Sequence, residues 1–158
     1  MSRYLYAVLF LCISMPAFAV DLGDEITLSD FVTAVGGDYE ILKADGKETH
    51  YKEGSVVGEK DEVVMTFPYC PEDGDLCDSG YIFLPRTPAT AVKVNKLVTT
   101  KDTTYTIRHT DGLDKYTYEL VVPAGTKDPQ SFRRYDYVYG TRKPFTLEFS
   151  ITPKPVVP

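Results

Sequence analysis

The chain has no tryptophan, only two histidines and only three cysteines. These shortages exclude much at once. With His50 and His109 far apart and no Cys-x-x-Cys spacing, the sequence offers no zinc site. It contains no His-Glu-x-x-His and no serine in a Gly-x-Ser-x-Gly elbow, so no catalytic signature is present. Cations are also in deficit, 17 Lys and Arg against 23 Asp and Glu. An acidic chain is repelled by nucleic acid and by anionic lipid surfaces, so neither is expected as a partner.

Long apolar runs are scarce too. The one candidate, Leu5–Ile13, falls short of the roughly 20 residues that span a bilayer. It follows Arg3, the only charge of the first 19 residues, and precedes Pro16 and the small-x-small triplet Ala17-Phe18-Ala19. Positive start, apolar run and cleavage triplet, in that order, predict a signal peptide over residues 1–19. Cys12 lies inside the run behind Leu9-Phe10-Leu11, without the small preceding residue that lipid attachment wants. The expected mature protein starts at Val20, is periplasmic or secreted, and has no transmembrane anchor. It keeps 139 residues, enough for one domain with a real core, and its charge balance becomes 16 cations against 23 acids.

Loss of Cys12 leaves Cys70 and Cys77, an even pair in an exported chain, which reads as a disulfide. The intervening Pro-Glu-Asp-Gly-Asp-Leu is polar and turn-forming, and closing so short a loop contributes about 2–3 kcal/mol in the chain-entropy model. Asp73-Gly74-Asp75 resembles the start of a calcium loop, but the twelfth position, where glutamate is needed, is Leu84. A solvated acidic loop is expected there, with no metal and no cofactor.

One helix is expected near the start of the mature chain. Thr27 or Ser29 can cap it, Leu28, Phe31, Val32 and Val35 form one stripe, and Gly36-Gly37 ends it through the left-handed conformation open to glycine. From Asp38 onward threonine, tyrosine and valine predominate, which suits pleated, half-buried strands. Strands are expected at Asp38–Ala44 and, across an Asp45-Gly46 turn, at Lys47–Lys52. Further strands follow around Val63–Tyr69, Tyr81–Leu84, Val92–Val98, Thr103–His109, Lys115–Val122, Phe132–Tyr139 and Phe145–Ile151. Asp111-Gly112 is the clearest hairpin turn, and Val92, Val94 and Val98 are expected on one inward face. Residues 20–152 thus form the domain. The proline-rich 153–158 are expected as an extended tail outside any sheet.

Eight or nine short-turned strands and one helix imply an all-β fold, preferably a single antiparallel up-and-down barrel, with a β-sandwich as the alternative. A short helix followed by Gly37-Asp38-Tyr39 at the opening of the first strand resembles the lipocalin, or calycin, plan. In that family an aromatic residue, usually tryptophan, stands where this chain has Tyr39, and a late basic residue packs over it. Arg142 is the matching position. The resemblance implies a barrel with an internal pocket for a small apolar ligand, with Tyr39 and Arg142 as structural plugs.

The most unusual stretch is Ser131–Lys143, basic within an acidic protein. Arg133, Arg134, Tyr135, Tyr137, Tyr139 and Arg142 combine the residue types that dominate interface hot spots. They are the candidate binding residues, unless the tyrosines fill the barrel and the cations reach out from its rim. The function expected is a non-enzymatic exported binding protein. Its partner is either a small ligand in the barrel or another extracytoplasmic protein on the surface, a hydrolase-inhibitor surface being one variant. The alternative is a hydrolytic enzyme whose site assembles only in the fold, from Glu40, Glu48 or Glu119 with a histidine.

Overall fold

A computed structural model describes residues 21–68, 80–137 and 145–155. Cys70, Cys77, Tyr139 and Arg142 lie outside them, as do the expected signal peptide and the acidic loop. The elements are β1 (Asp24–Ile26), α1 (Leu28–Val35), β2 (Gly37–Ala44), β3 (Glu53–Gly58), β4 (Glu62–Thr66), β5 (Tyr81–Pro85), β6 (Val92–Val98), β7 (Asp102–Asp111), β8 (Asp114–Pro123), β9 (Ser131–Tyr137) and β10 (Phe145–Pro153). All ten strands belong to one antiparallel sheet of order β1-β6-β7-β8-β9-β10-β2-β3-β4-β5. The last strand thus pairs with the first long one, Ile151 opposite Ile41 and Pro153 opposite Tyr39.

That order forces the sheet to curl. Eight strand spacings separate β5 from β6, about 38 Å across a flat sheet. The chain from Pro85 to Val92 reaches at most about 25 Å. The result is a half-barrel, and no ladder joins β5 to β6 among the described residues. The physical reason is parity. The meander β2–β10 has nine strands, so after eight antiparallel steps β5 and β6 run the same way, and antiparallel pairing cannot close the ring. In place of closure, β1 pairs with β6, Ile26 opposite Val94.

Helix α1 forms where its stripe requires. Thr27 caps it: its hydroxyl accepts from the Asp30 N–H at 3.0 Å, and the Asp30 carboxylate reaches back to Thr27, a complete capping box. Phe31 and Val35 are buried. The helix ends differently from the sequence expectation. Gly36 is extended, at φ −68° and ψ 138°, not left-handed. Glycine is needed there for space, since a Cβ would stand 2.5 Å from the Val32 carbonyl oxygen.

The interior is a stack of rings. Phe67 and Phe132 lie face to face at 3.9 Å between centroids, with Phe149 at 6.3 Å and Tyr39 at 6.5 Å from Phe67. Gly54 sits against this stack, and a Cβ there would come within 2.8 Å of the Phe67 ring. Burial of the aromatic and aliphatic faces of every long strand is the main stabilising term.

Three sequence expectations need correction. Lys47–Lys52 is not a strand: one bridge, Ala44 to Lys47, closes the Asp45-Gly46 turn, and pairing resumes at Glu53. The polar run has no inward apolar residue to hold it on the sheet, whereas the glycine-rich β3 buries Gly54 and Val56. Val98 is 65 % exposed at the end of β6, past the last inward position that the body of the sheet covers. Pro153 belongs to β10, because a terminal strand residue needs no N–H of its own, and the next N–H, from Lys154, donates to Asp38. No helix among the described residues is long and apolar enough to cross a membrane.

Candidate functional site

The two ends of the half-barrel differ. Helix α1 plugs one end. There Tyr39 is buried, its hydroxyl donates to the Val35 carbonyl, and burial pushes its pKa up to about 12, with Asp128 adding to the effect. Its strand partner Pro153 lies at the far end of β10 from Phe145, the first described residue after the segment that holds Arg142.

The opposite end, at the β7–β8 turn, is polar and aromatic. Strand alternation and register decide its membership. Inward positions on β8 are Tyr116, Tyr118 and Leu120, opposite His109, Ile107 and Tyr105 of β7. On β9 they are Phe132, Arg134 and Asp136, opposite Leu120, Tyr118 and Tyr116 of β8. The stretch singled out from sequence is therefore divided between two faces.

On the inner face, Arg134 donates from Nε to Asp136 Oδ2 at 2.6 Å, with Nη2 also 2.6 Å from that oxygen, and its guanidinium lies 5.9 Å from the centre of the Tyr118 ring. Asp136 is 4 % exposed, and its other oxygen, Oδ1, accepts no hydrogen bond from the described residues. On the outer face, Arg133 stands between Glu148 at 3.3 Å and Glu119 at 3.8 Å. The Tyr135 hydroxyl is 3.4 Å from Glu119, and burial, reinforced by that carboxylate, raises its pKa. Tyr137 closes β9, its backbone opposite Lys115. Arg133 and Arg134 are thus each matched with acid, and no basic patch forms from them.

A groove of about 260 Å³ opens at the polar end, lined by Tyr81, Ile82 and Phe83 of β5 and by His109, Asp111, Tyr116, Tyr118 and Arg134 across from them. No residue of β4 lines it, so it lies along the unpaired side of β5. Its floor is closed, because Tyr118 stacks on Phe132 and so on the filled interior. Burial lowers the His109 pKa, against a smaller opposing pull from Asp111. Burial and the nearby Asp114, 3.4 Å from its hydroxyl, raise that of Tyr116. A larger hollow of about 590 Å³ lies at the plugged end, but of its charged groups Asp38, Lys127 and Asp128 are exposed and the half-buried Lys154 is paired with Glu53.

Sequence reasoning missed the groove. His109 was legible as a residue at a turn mouth, and period-two alternation would have separated Arg134 and Asp136 from Arg133 and Tyr135. That β5 lies across from them carries no local signal. The carboxylates of the enzyme alternative are elsewhere: Glu40 and Glu48 are exposed, and Glu119 is on the outer face, away from His109. Among the described residues no group of three His, Cys, Asp or Glu could hold a metal ion. Comparison with protein families, with curated proteins and with solved structures found no match to this chain.

Proposed function

We propose that this chain is an exported, non-enzymatic binding protein of barrel-like, calycin-related plan, and that it binds another extracytoplasmic protein at the polar end of the half-barrel. The observation that carries this reading is the groove beside β5, open at the surface and floored by packed rings. Its volume falls below the roughly 300–1,000 Å³ of small-molecule pockets, which favours a protein surface over an enclosed ligand. Tyr81 and Phe83 strengthen the case. They are 62 % and 52 % exposed, large and adjacent, with rings stacked at 6.3 Å, as interface anchors are. An inhibitor of a hydrolytic enzyme is one form such a protein takes, and the signal peptide expected from the sequence supplies the compartment.

The test compares three tagged proteins in the native extracytoplasmic fraction: wild type, a Tyr81→Ser/Phe83→Ser double variant, and Arg133→Ala. A partner retained by wild type and Arg133→Ala but lost by the double variant supports the reading. A partner recovered equally by all three places binding elsewhere and sinks it.

A further inference from the structure

We propose that a smaller hollow at the plugged end binds a small, soluble phosphate monoester between Lys96 and Lys127. The inference goes beyond the protein-binding reading and does not rest on it, since the hollow shares no residue with the groove beside β5.

Strand alternation builds the site. Val92 and Val94 of β6 are buried on the inner face, and the next inward position is the half-buried Lys96, opposite the buried Tyr105 of β7. The inward positions of β7 and β8 at this end are Thr103 and Val122, opposite each other. Thr33 and Ala34 of α1 line one side, and Thr126 and Lys127, between β8 and β9, line another. The volume is about 330 Å³, within the roughly 300–1,000 Å³ of small-molecule pockets.

Charge sets this hollow apart. The groove beside β5 balances Arg134 against Asp111, and the hollow of about 590 Å³ balances Lys127 and Lys154 against Asp38 and Asp128. Here the lining carries two lysines and no carboxylate, in a chain of net charge −6. Asp24, opposite Lys96 on β1, is the acid that register brings nearest, yet neither lysine forms an ion pair among the described residues. Asp128 follows Lys127 but lines the neighbouring hollow and not this one. Two like charges that share a hollow repel, and an anion between them relieves the repulsion.

The donors select the anion. Thr33 gives its hydroxyl proton to the Ser29 carbonyl and Thr126 to the Pro123 carbonyl, which leaves the two ammonium groups, with Thr103 and Tyr105, to donate to a ligand. Lysine is a compact point charge with three rotatable donors, which suits phosphoryl oxygens. A phosphate monoester carries about −1.5 to −2 at pH 7, matching two lysines where a carboxylate matches one. Ala34, Val122 and the Tyr105 ring offer apolar contact to its organic part. A bilayer phosphate is not the source, because it would bring an acidic chain against further anionic headgroups. Two structural roles would also place lysines here. Their stems cover apolar surface, and α1 has no basic residue of its own in its last turn to offset the negative end of its dipole. Neither role calls for a ligand, so binding separates them from the proposal.

The experiment uses the full mature chain at fixed ionic strength. Phenyl phosphate, benzoate and benzyl alcohol are titrated, and binding is read by calorimetry and by amide shifts in NMR. Vesicles of phosphatidylcholine containing phosphatidic acid are tested by sedimentation. Phenyl phosphate is expected to bind about tenfold or more tightly than benzoate and to shift the amides of Lys96, Thr103, Tyr105 and Lys127. Lys96→Met and Lys127→Met keep most of the apolar stem, and each is expected to weaken phenyl phosphate about tenfold. Lys115→Met, on the outer face near the β7–β8 turn, is expected to leave it unchanged. Lys127 is exposed, so its variant tests the site even if Lys96→Met fails to fold. Equal binding of benzoate would overturn the phosphate assignment, and equal binding of benzyl alcohol would overturn any role for charge. An equal loss in Lys115→Met would show that overall charge alone acts and would overturn the site. Binding to the vesicles without binding of phenyl phosphate would make the source a lipid, and binding of no probe would leave the lysines in their structural roles. Either result overturns the proposal, and none of them touches the groove beside β5.

Discussion

The plugged end and the polar end of the half-barrel are built from the same strands but solve different problems. At the plugged end, Phe31, Val35 and Tyr39 close the interior with apolar surface, and the single hydroxyl involved finds a backbone carbonyl. At the polar end, the same inward positions carry His109, Tyr116, Arg134 and Asp136, and the interior meets water. The first arrangement stabilises the fold. The second uses part of that stability to hold polar groups in fixed positions, which is how proteins distinguish a site from a core.

The contrast is open to test, from the largest expected effect to the smallest. Phe132→Ala removes the ring that joins the central stack to Tyr118, and should cost about 3–5 kcal/mol in chemical denaturation. A loss under about 1 kcal/mol would mean that the two ends are not coupled through a packed interior. Asp136→Ala takes the carboxylate from a largely buried guanidinium and should cost about 3 kcal/mol, while Arg134→Met/Asp136→Leu should recover most of it. If the double variant is no better than the single, the pair contributes to stability by itself and is not kept for the groove.

Titration distinguishes Tyr39 from His109 by the direction of pH. Below pH 10 Tyr39 holds its proton in both the folded and the unfolded chain, so its contribution is complete. As pH rises from 10 toward 12 the unfolded chain ionises first, and stability is lost. Tyr39→Phe should lessen that alkaline loss in thermal melts, the remainder coming from Tyr116 and Tyr118, which burial also raises. His109 acts at the other extreme. Above its ordinary pKa of about 6.5 both states are neutral, and as pH falls below it the unfolded chain takes up a proton that the buried imidazole resists. His109→Gln should remove the resulting acid-side decline and leave the alkaline one unchanged.

Smaller effects follow at the helix and at the edge. Thr27→Ala breaks the capping box and should cost about 1 kcal/mol without altering the groove. Tyr81→Ser, on an exposed edge position, should change stability by no more than about 0.5 kcal/mol while weakening partner binding. Equal stability and equal binding would return β5 to the status of an ordinary edge.

Much of the fold was legible because its signals are local. Period-two alternation placed Tyr116, Tyr118 and Leu120 on one face, and Phe145–Ile151 reads as a strand from its own sequence. The Asp45-Gly46 and Asp111-Gly112 turns were visible for the same reason: their positive φ at Asp45, Gly46 and Gly112 suits those residues. β3 was missed because Gly54 has no strand propensity and is selected by the Phe67 ring, which approaches from β4's end. The candidate site was half legible. Arg133, Arg134 and Tyr135 were identified as unusual, but the acids beside Arg133 and Tyr135 come from β8 and β10, neighbours in space, and only that of Arg134, Asp136, lies along β9 itself.

The amino-acid sequence by itself determined the class of structure, the helix with its cap, and which residues alternate inward, since each depends on a few neighbouring residues and on burial of apolar surface. Only the tertiary structure decided the unpaired seam, the exposed edge of β5 and the groove beside it. Those follow from the parity of nine strands and from a link too short to let the sheet lie flat, properties of the whole chain that no local stretch encodes.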